Sequence, residues 1–174
     1  MRIIAGALKG RRLQAPPGTD LVRPTSDRAR EALFSILQKW PQGPFLDLYA
    51  GTGAVGLEAF SRGYGPVTCV ERDPAALACL RRNAQGTALA VLAQDAARLR
   101  PASFGGLAVV FADPPYRDAP SAWAALAPLA KAWLAPGGIL VFEAPAGVAL
   151  APAEGLEALG ERRYGAASFH LFQA

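Results

Sequence analysis

The sequence predicts one α/β domain: a mostly parallel sheet covered by helices on both faces, finished by an antiparallel C-terminal hairpin and preceded by a small N-terminal extension. Three observations predict it. From Pro44 onward, short apolar runs at 45–48, 67–70, 89–92, 107–111 and 139–142 alternate with helical periodicity at about 55–62, 74–84 and 121–134, the rhythm of successive βαβ units. The last segments, 156–163 and 167–172, are both strand-like and are joined by Tyr164-Gly165-Ala166, so they pair as a hairpin. A chain of 174 residues that is 52% hydrophobic and 18% charged suits a single well-buried core.

Residues 1–40 read differently. Segments 2–5 and 11–15 flank Gly6 and Gly10 and are expected to pair as a short hairpin whose turn carries Lys9. A Pro/Gly-rich connector over 16–24 follows, after which Thr25 or Ser26 caps a helix with Asp27 in its first turn. Ala29, Ala32, Leu33, Ile36, Leu37 and Trp40 recur at helical spacing and face inward, leaving Arg28, Glu31 and Ser35 outward. The formal net charge is +4, and its distribution is uneven. Within the first 39 residues, eight basic residues (Arg2, Lys9, Arg11, Arg12, Arg23, Arg28, Arg30, Lys39) stand against Asp20, Asp27 and Glu31, so this segment carries +5 and the remainder −1. A basic extension on a neutral domain is the layout of a polyanion-docking surface, with Lys9, Arg11, Arg12, Arg23, Thr25, Arg28 and Arg30 as its candidates. We therefore divide the chain into 1–40, a docking extension, and 41–174, a catalytic domain.

Composition also excludes functions. Cys69 and Cys79 lack the paired spacing of a zinc ribbon or redox dithiol, and the single histidine, His170, lies in an alternating strand and is read as structural. No metal site is expected. Lys131, Glu143 and several prolines interrupt every apolar run before membrane-spanning length, and residues 1–13 reverse the order of a secretory signal. A cytoplasmic protein, with no membrane partner and acting as a monomer, is expected.

The first strand runs into Asp47-Leu48-Tyr49-Ala50-Gly51-Thr52-Gly53-Ala54-Val55-Gly56. Glycines at 51 and 53 suit a sharp strand-to-helix turn where a ligand approaches the backbone closely. With Gly56, and Glu71 twenty residues after Gly51, they also satisfy the dinucleotide fingerprint, so a nicotinamide-dependent oxidoreductase stays open on this motif alone. Asp47 favours S-adenosylmethionine instead, because a carboxylate at the loop suits a cationic amino group and repels a pyrophosphate. Asp95, after the third strand, is placed to accept from an adenine amino group while the Ala96 N–H donates to the ring, and Glu71 is placed to hold ribose hydroxyls. Tyr49 and Arg72 flank these residues and complete the expected cofactor set.

The fourth strand leads into Asp113-Pro114-Pro115-Tyr116. An exocyclic amino group on a base is a poor nucleophile, because its lone pair is delocalised into the ring. Two acceptors and an aromatic platform remedy this. The Asp113 carboxylate and Pro114 carbonyl each accept one amino hydrogen, directing the lone pair at the sulfonium methyl, and Tyr116 stacks on the base. Pro115 stiffens the turn and carries no competing N–H. A paired or stacked base must flip out to reach such a site.

Together with Arg2-Ile3-Ile4-Ala5-Gly6, Arg23-Pro24-Thr25-Ser26-Asp27-Arg28 and Arg30-Glu31-Ala32-Leu33-Phe34, these motifs resemble the RsmD-type 16S rRNA guanine-N2 methyltransferases of bacteria. The resemblance covers nearly the whole chain. It implies a Rossmann-like class I S-adenosylmethionine-dependent methyltransferase fold with a seven-stranded sheet. It further implies N2-methylation of a guanine in 16S rRNA, with free rRNA or an assembling small ribosomal subunit as partner. On that resemblance Arg23, Thr25 and Arg28 lie beside the RNA. Asp-Pro-Pro-Tyr alone also serves adenine-N6 methyltransferases acting on DNA or RNA, and the fold alone would suit a non-catalytic RNA-binding assembly factor.

Overall fold

The computed structural model describes residues 1–16, 27–151 and 153–174. In chain order its main elements are α1 (Asp27–Leu37), β1 (Phe45–Leu48), α2 (Ala54–Ser61), β2 (Val67–Glu71), α3 (Pro74–Asn83) and β3 (Ala90–Ala93), then β4 (Leu107–Ala112), α4 (Ala119–Trp133), β5 (Leu134–Pro145), β6 (Glu157–Tyr164) and β7 (Ala167–Gln173). The strands form a seven-stranded sheet in the order β3-β2-β1-β4-β5-β7-β6. The pairs from β3 through β5 are parallel, and β7 runs antiparallel between β5 and β6. Strand order reverses between β1 and β4, so the loops that leave these neighbours diverge and open a crevice at the carboxyl edge.

Alternation along each strand splits the core in two. On one face Phe45, Val67, Cys69, Val109, Phe111, Ile139 and Val141 pack against Leu33 and Leu37 of α1, Leu57 of α2, and Leu77 and Leu80 of α3. On the other, Leu46, Leu48, Val70, Val110, Leu140 and Phe142 pack against Trp123, Leu126 and Trp133 of α4. Local signals agree with these spans. Asp73 caps α3 by accepting the Ala76 N–H at 2.8 Å, Pro74 opens the helix, and Arg81 and Arg82 lie in its last turn.

Three expectations change. The N-terminal hairpin is shorter than expected: it forms around the antiparallel bridge of Arg2 with Arg12, where Ile3 N donates to the Arg11 carbonyl at 2.9 Å and Leu13 N to the Met1 carbonyl at 3.1 Å, and it goes no further because the next donors of the segment go to α2. The fully buried Glu58 carboxylate accepts from Ile4 N (2.7 Å) and Ala5 N (3.0 Å), while Ser61 receives Leu8 N at its Oγ (2.8 Å) and Ala7 N at its carbonyl (2.8 Å). Arg30, expected among the docking residues, is buried: its Nη2 donates to the Arg2 carbonyl and to Asp27 Oδ1, each at 2.7 Å. It clamps α1 to the N-terminal segment. Finally, β5 starts at Leu134, before the apolar run that marks it, because Leu134 pairs with Leu107 across a register shift. Pro136-Gly137-Gly138 reads as a turn in isolation, yet a Cβ at Gly138 would lie 2.7 Å from the Leu107 carbonyl oxygen, so the close pairing needs glycine there. The expected caps Thr25 and Ser26, and most of the 16–24 connector, lie outside the described residues.

Asp47 explains how β1 joins α2. Only 1% exposed, it accepts the Gly56 N–H at 2.8 Å through Oδ2, and the Cys69 thiol approaches the same oxygen at 3.7 Å. A Cβ on Gly56 would sit 2.2 Å from Cys69 Sγ, so helix and strand meet without room for a side chain. Burial raises the Asp47 carboxyl to about 7, opposed by the Gly56 hydrogen bond and reinforced by Asp113.

Two outcomes follow for stability. Gly6 has φ +80° and a Cβ there would fall 1.8 Å from the Ser61 carbonyl oxygen, whereas Gly10, at φ +86°, has open space. Gly6→Ala should therefore lower unfolding free energy by roughly 3 kcal/mol and Gly10→Ala by about 1 kcal/mol, read by denaturant titration. Because Asp47 holds its proton more tightly folded than unfolded, its contribution to stability is lost as pH rises from about 4 to about 7 and is flat above. Asp47→Asn should abolish a pH-dependent loss of unfolding free energy on the order of 4 kcal/mol in total, read from denaturant titrations taken across that window.

Candidate active site

The loop from β1 into α2 is held in a conformation ordinary residues avoid. Tyr49 (φ 60°), Gly51 (φ 56°) and Gly53 (φ 83°) all have positive φ. The two glycines answer different needs. A Cβ on Gly53 would meet Leu80 Cδ1 at 2.3 Å, so packing against α3 demands glycine, while the space beside Gly51 is open for 4 Å and leaves its backbone approachable. Glu71, ending β2, ties this loop down: Oε2 accepts Gly51 N at 2.7 Å, and Oε1 accepts Arg72 N at 2.7 Å and Asp73 N at 2.8 Å. Asn83 ties it from another side, donating to the Thr52 carbonyl at 2.9 Å while exchanging hydrogen bonds of 3.0 and 2.8 Å with the Gln14 backbone.

Asp95 has two partners in the protein. Oδ2 pairs with Arg72 Nη1 at 2.8 Å, and Oδ1 caps the short turn Ala96–Arg98 by accepting Ala97 N at 3.0 Å. That backbone hydrogen bond, then Arg72, keeps the Asp95 carboxyl below its usual range. Ala96 is buried behind the turn. Tyr49 is half-buried; burial, then Asp95, pushes its phenol up, and Arg72 and Asp118 also act on it. It therefore lies within electrostatic reach of charged groups on the loops after β2, β3 and β4.

On the far side of the crevice, Asp113 N donates to the Leu48 carbonyl at 3.4 Å, joining Asp113-Pro114-Pro115-Tyr116 directly to the end of β1. Tyr116 opens a short 3-10 turn over Tyr116–Asp118 that leads into α4, and it is 40% exposed, one of two exposed large hydrophobic side chains among the described residues. Its hydroxyl reaches inward and donates to Glu143 Oε1 at 3.5 Å. Glu143 is 5% exposed, and its Oε2 is buried without a hydrogen-bond partner. Burial first, then the neighbouring Asp113, pushes its carboxyl up to about 8. The register pairs Leu48 with both Val70 and Ala112, and Ala112 with Phe142. Glu71, Asp113 and Glu143 thus each stand one residue beyond a common rung on β2, β4 and β5, with Asp47 below them on β1.

The predicted cofactor residues Asp47, Tyr49, Gly51, Gly53, Glu71, Arg72, Asp95 and Ala96 thus gather along the carboxyl ends of β1 to β3, and the Asp113 motif faces them across one strand pair. Sequence reading missed Glu143, which counted only as a charge interrupting an apolar run. A lone carboxyl within Ile139-Leu140-Val141-Phe142-Glu143-Ala144 was the available signal. It also missed Asn83, which no motif marks. Among the docking candidates, Lys9 and Arg28 are exposed and share a cleft of about 340 Å³ with Arg2, Asp27 and Glu31. Arg12 is exposed too, whereas Arg11 donates to the Gln85 carbonyl at 2.7 Å. Arg23 and Thr25 lie outside the described residues. Among the described residues no group of His, Cys, Asp or Glu is arranged to hold a metal ion, and no helix is long and apolar enough to cross a membrane.

Comparison with known proteins agrees over the full length. The family model described as "Conserved hypothetical protein 95" matches residues 1–173. Ribosomal RNA small subunit methyltransferase D of Haemophilus influenzae is 32% identical over 183 aligned positions, covering 99% of this chain and 93% of the relative. A solved hypothetical protein of Thermus thermophilus superposes with TM-score 0.85 at 31% identity, covering 100% of this chain and 99% of that one. The yhhF protein of Escherichia coli gives 0.80 at 30%, covering 99% and 97%. The fold is that of the class I methyltransferases. With a family model spanning the chain and a relative matched end to end, this protein belongs to the RsmD family, the family of the ribosomal RNA small subunit methyltransferases D.

Proposed function

We propose that this chain transfers the methyl group of S-adenosylmethionine to the exocyclic N2 of a guanine in 16S rRNA, acting as a cytoplasmic monomer on free rRNA or the assembling small subunit. The observation that carries the reading is the adjacency of the glycine loop and Asp113-Pro114-Pro115-Tyr116 at the point where strand order reverses. The names of the relatives support ribosomal RNA as substrate. Guanine, rather than adenine, rests on the resemblance of residues 1–40 to the RsmD type.

The residues present suit the cofactor. A sulfonium amino acid is cationic at sulfur and at its amino group, and Glu71, Asp47 and Asp113 stand at or just beyond the carboxyl ends of neighbouring strands around the crevice. The open space at Gly51 admits close approach to the backbone. When bound, the sulfonium supplies an electrophilic methyl group. Glu71 meets the ribose hydroxyls at the one acceptor site its three backbone donors leave over, on Oε2, and Asp95 with the Ala96 N–H reads the adenine. Asp113 and the Pro114 carbonyl accept the two amino hydrogens of the target base, so its lone pair points at the methyl carbon and the charge developing on nitrogen is stabilised. Tyr116, exposed at the rim, stacks on the flipped base and excludes water from one face. Lys9, Arg12 and Arg28, with Arg11, Arg23 and Thr25, dock the RNA backbone.

Purified protein given labelled S-adenosylmethionine and small-subunit particles should place label on guanine, identified after digestion to nucleosides; label on adenine alone, or on DNA, overturns the substrate assignment. Asp113→Ala should lower kcat by about a hundredfold or more while calorimetric cofactor affinity changes less than about twofold, and Glu71→Gln should do the reverse. Equal loss of both quantities in both variants would contradict the division of labour. Arg28→Ala should weaken RNA binding and reduce the slope of log affinity against log salt by about one; an unaltered slope would make Arg28 structural.

A further inference from the structure

The catalytic centre contains a group that none of these roles uses. We propose that Glu143 is a positioning residue of this centre, anchoring the Tyr116 phenol and leaving the negative charge of the Asp113–Glu143 pair on Asp113. The inference rests on the methyl-transfer reading above.

Geometry carries it. The Tyr116 ring is 40% exposed, yet its hydroxyl turns inward to a carboxyl that is 5% exposed, so the ring is held at its tip with its body open to the rim. A stacking platform held this way keeps its plane when a base arrives, whereas an untethered ring would lose conformational entropy on being ordered. The second observation is Oε2, buried and without a hydrogen-bond partner. An ionised carboxylate with an unpaired buried oxygen beside a second carboxylate is penalised twice, by lost hydration and by like charge. Proton occupancy on Glu143 removes both penalties, in line with a carboxyl raised to about 8. Asp113 is less buried than Glu143 and keeps the charge, which is the state an acceptor of amino hydrogens requires. The titratable groups acting on Glu143 among the described residues are Asp113, at the end of β4, and Tyr116, in the following turn; β7 meets it in register with the apolar Phe169. Glu143 is held by the β5–β7 ladder, where it pairs with Phe169, one residue past the last β4 pair at Phe142, rather than by a loop.

Two sets of measurements test the proposal, one without any substrate. In ¹³C-carboxyl NMR, one glutamate absent from Glu143→Gln should titrate near pH 8, and in Asp113→Asn it should titrate at lower pH, because a like charge has gone. In kinetics with small-subunit particles, Glu143→Leu should lower kcat/KM about tenfold with cofactor affinity unchanged, and Glu143→Gln, which keeps an acceptor for the phenol, should recover most of the loss. In a Tyr116→Phe background the Leu replacement should add less than about twofold, since the contact it removes is already gone. A Glu143 that titrates in the ordinary carboxylate range, or ignores Asp113→Asn, overturns the charge assignment; losses that multiply across the two sites overturn the anchoring. Should Glu143→Leu fail to fold, the NMR titrations and the kinetics of Glu143→Gln against Tyr116→Phe decide. Wild-type protein that methylates no RNA would refute the proposed function instead, and the NMR arm would still report on the carboxyl pair.

Discussion

The parallel ladder between β1 and β4 is the constraint on which the site depends. These strands are far apart in sequence, but the register that pairs Leu48 with Ala112 brings their ends together, and strand order reverses between them. The glycine loop then leaves in one direction and the Asp113 motif in the other, with the Asp113 N–H bonded to the Leu48 carbonyl across the gap. Two segments with complementary chemistry thus face one crevice because backbone hydrogen bonds hold them there. Side chains packed on both faces protect those bonds from water: Phe45, Phe111 and Val109 on one side, Leu46, Leu48 and Val110 on the other.

That same architecture concentrates acids where parallel strands end. Burial raises the carboxyls of Asp47 and Glu143, and Asp113 adds like-charge repulsion to each of them. Such an arrangement destabilises a purely structural domain. It suits a site that receives positive charge. The N-terminal segment is coupled to it through short paths: Glu58 and Ser61 of α2 hold the backbone of residues 4–8, and Asn83 joins Gln14 to Thr52 of the glycine loop.

Much of this was legible beforehand, and the reasons differ by element. The βαβ rhythm located β1 to β4 and the apolar centre of β5 because parallel strands within a covered sheet are apolar on both faces, and β1 is the four-residue run as read; β6 and β7 came from the hairpin pattern instead. Asp113-Pro114-Pro115-Tyr116 was legible because its position after a fourth strand, downstream of a glycine loop, restricts its meaning. The N-terminal hairpin forms but was read too long, because local pattern cannot show that the donors of Ile4, Ala5, Ala7 and Leu8 are taken by Glu58 and Ser61, more than fifty positions away. Arg30 was misread for a related cause: its charge invites a surface reading, while Asp27 and the Arg2 carbonyl make burial tolerable. Glu143 escaped notice because its partners, Asp113 and Tyr116, meet it only through sheet pairing.

The central claim is that this chain installs a methyl group on N2 of a guanine in small-subunit rRNA. The most direct test is mass-spectrometric mapping of modified nucleosides in rRNA from cells with and without the protein. The account predicts that one N2-methylguanine disappears from 16S rRNA and returns with the wild-type chain but not with Asp113→Ala. A 16S rRNA whose N2-methylguanines are unchanged by loss of the protein would contradict it.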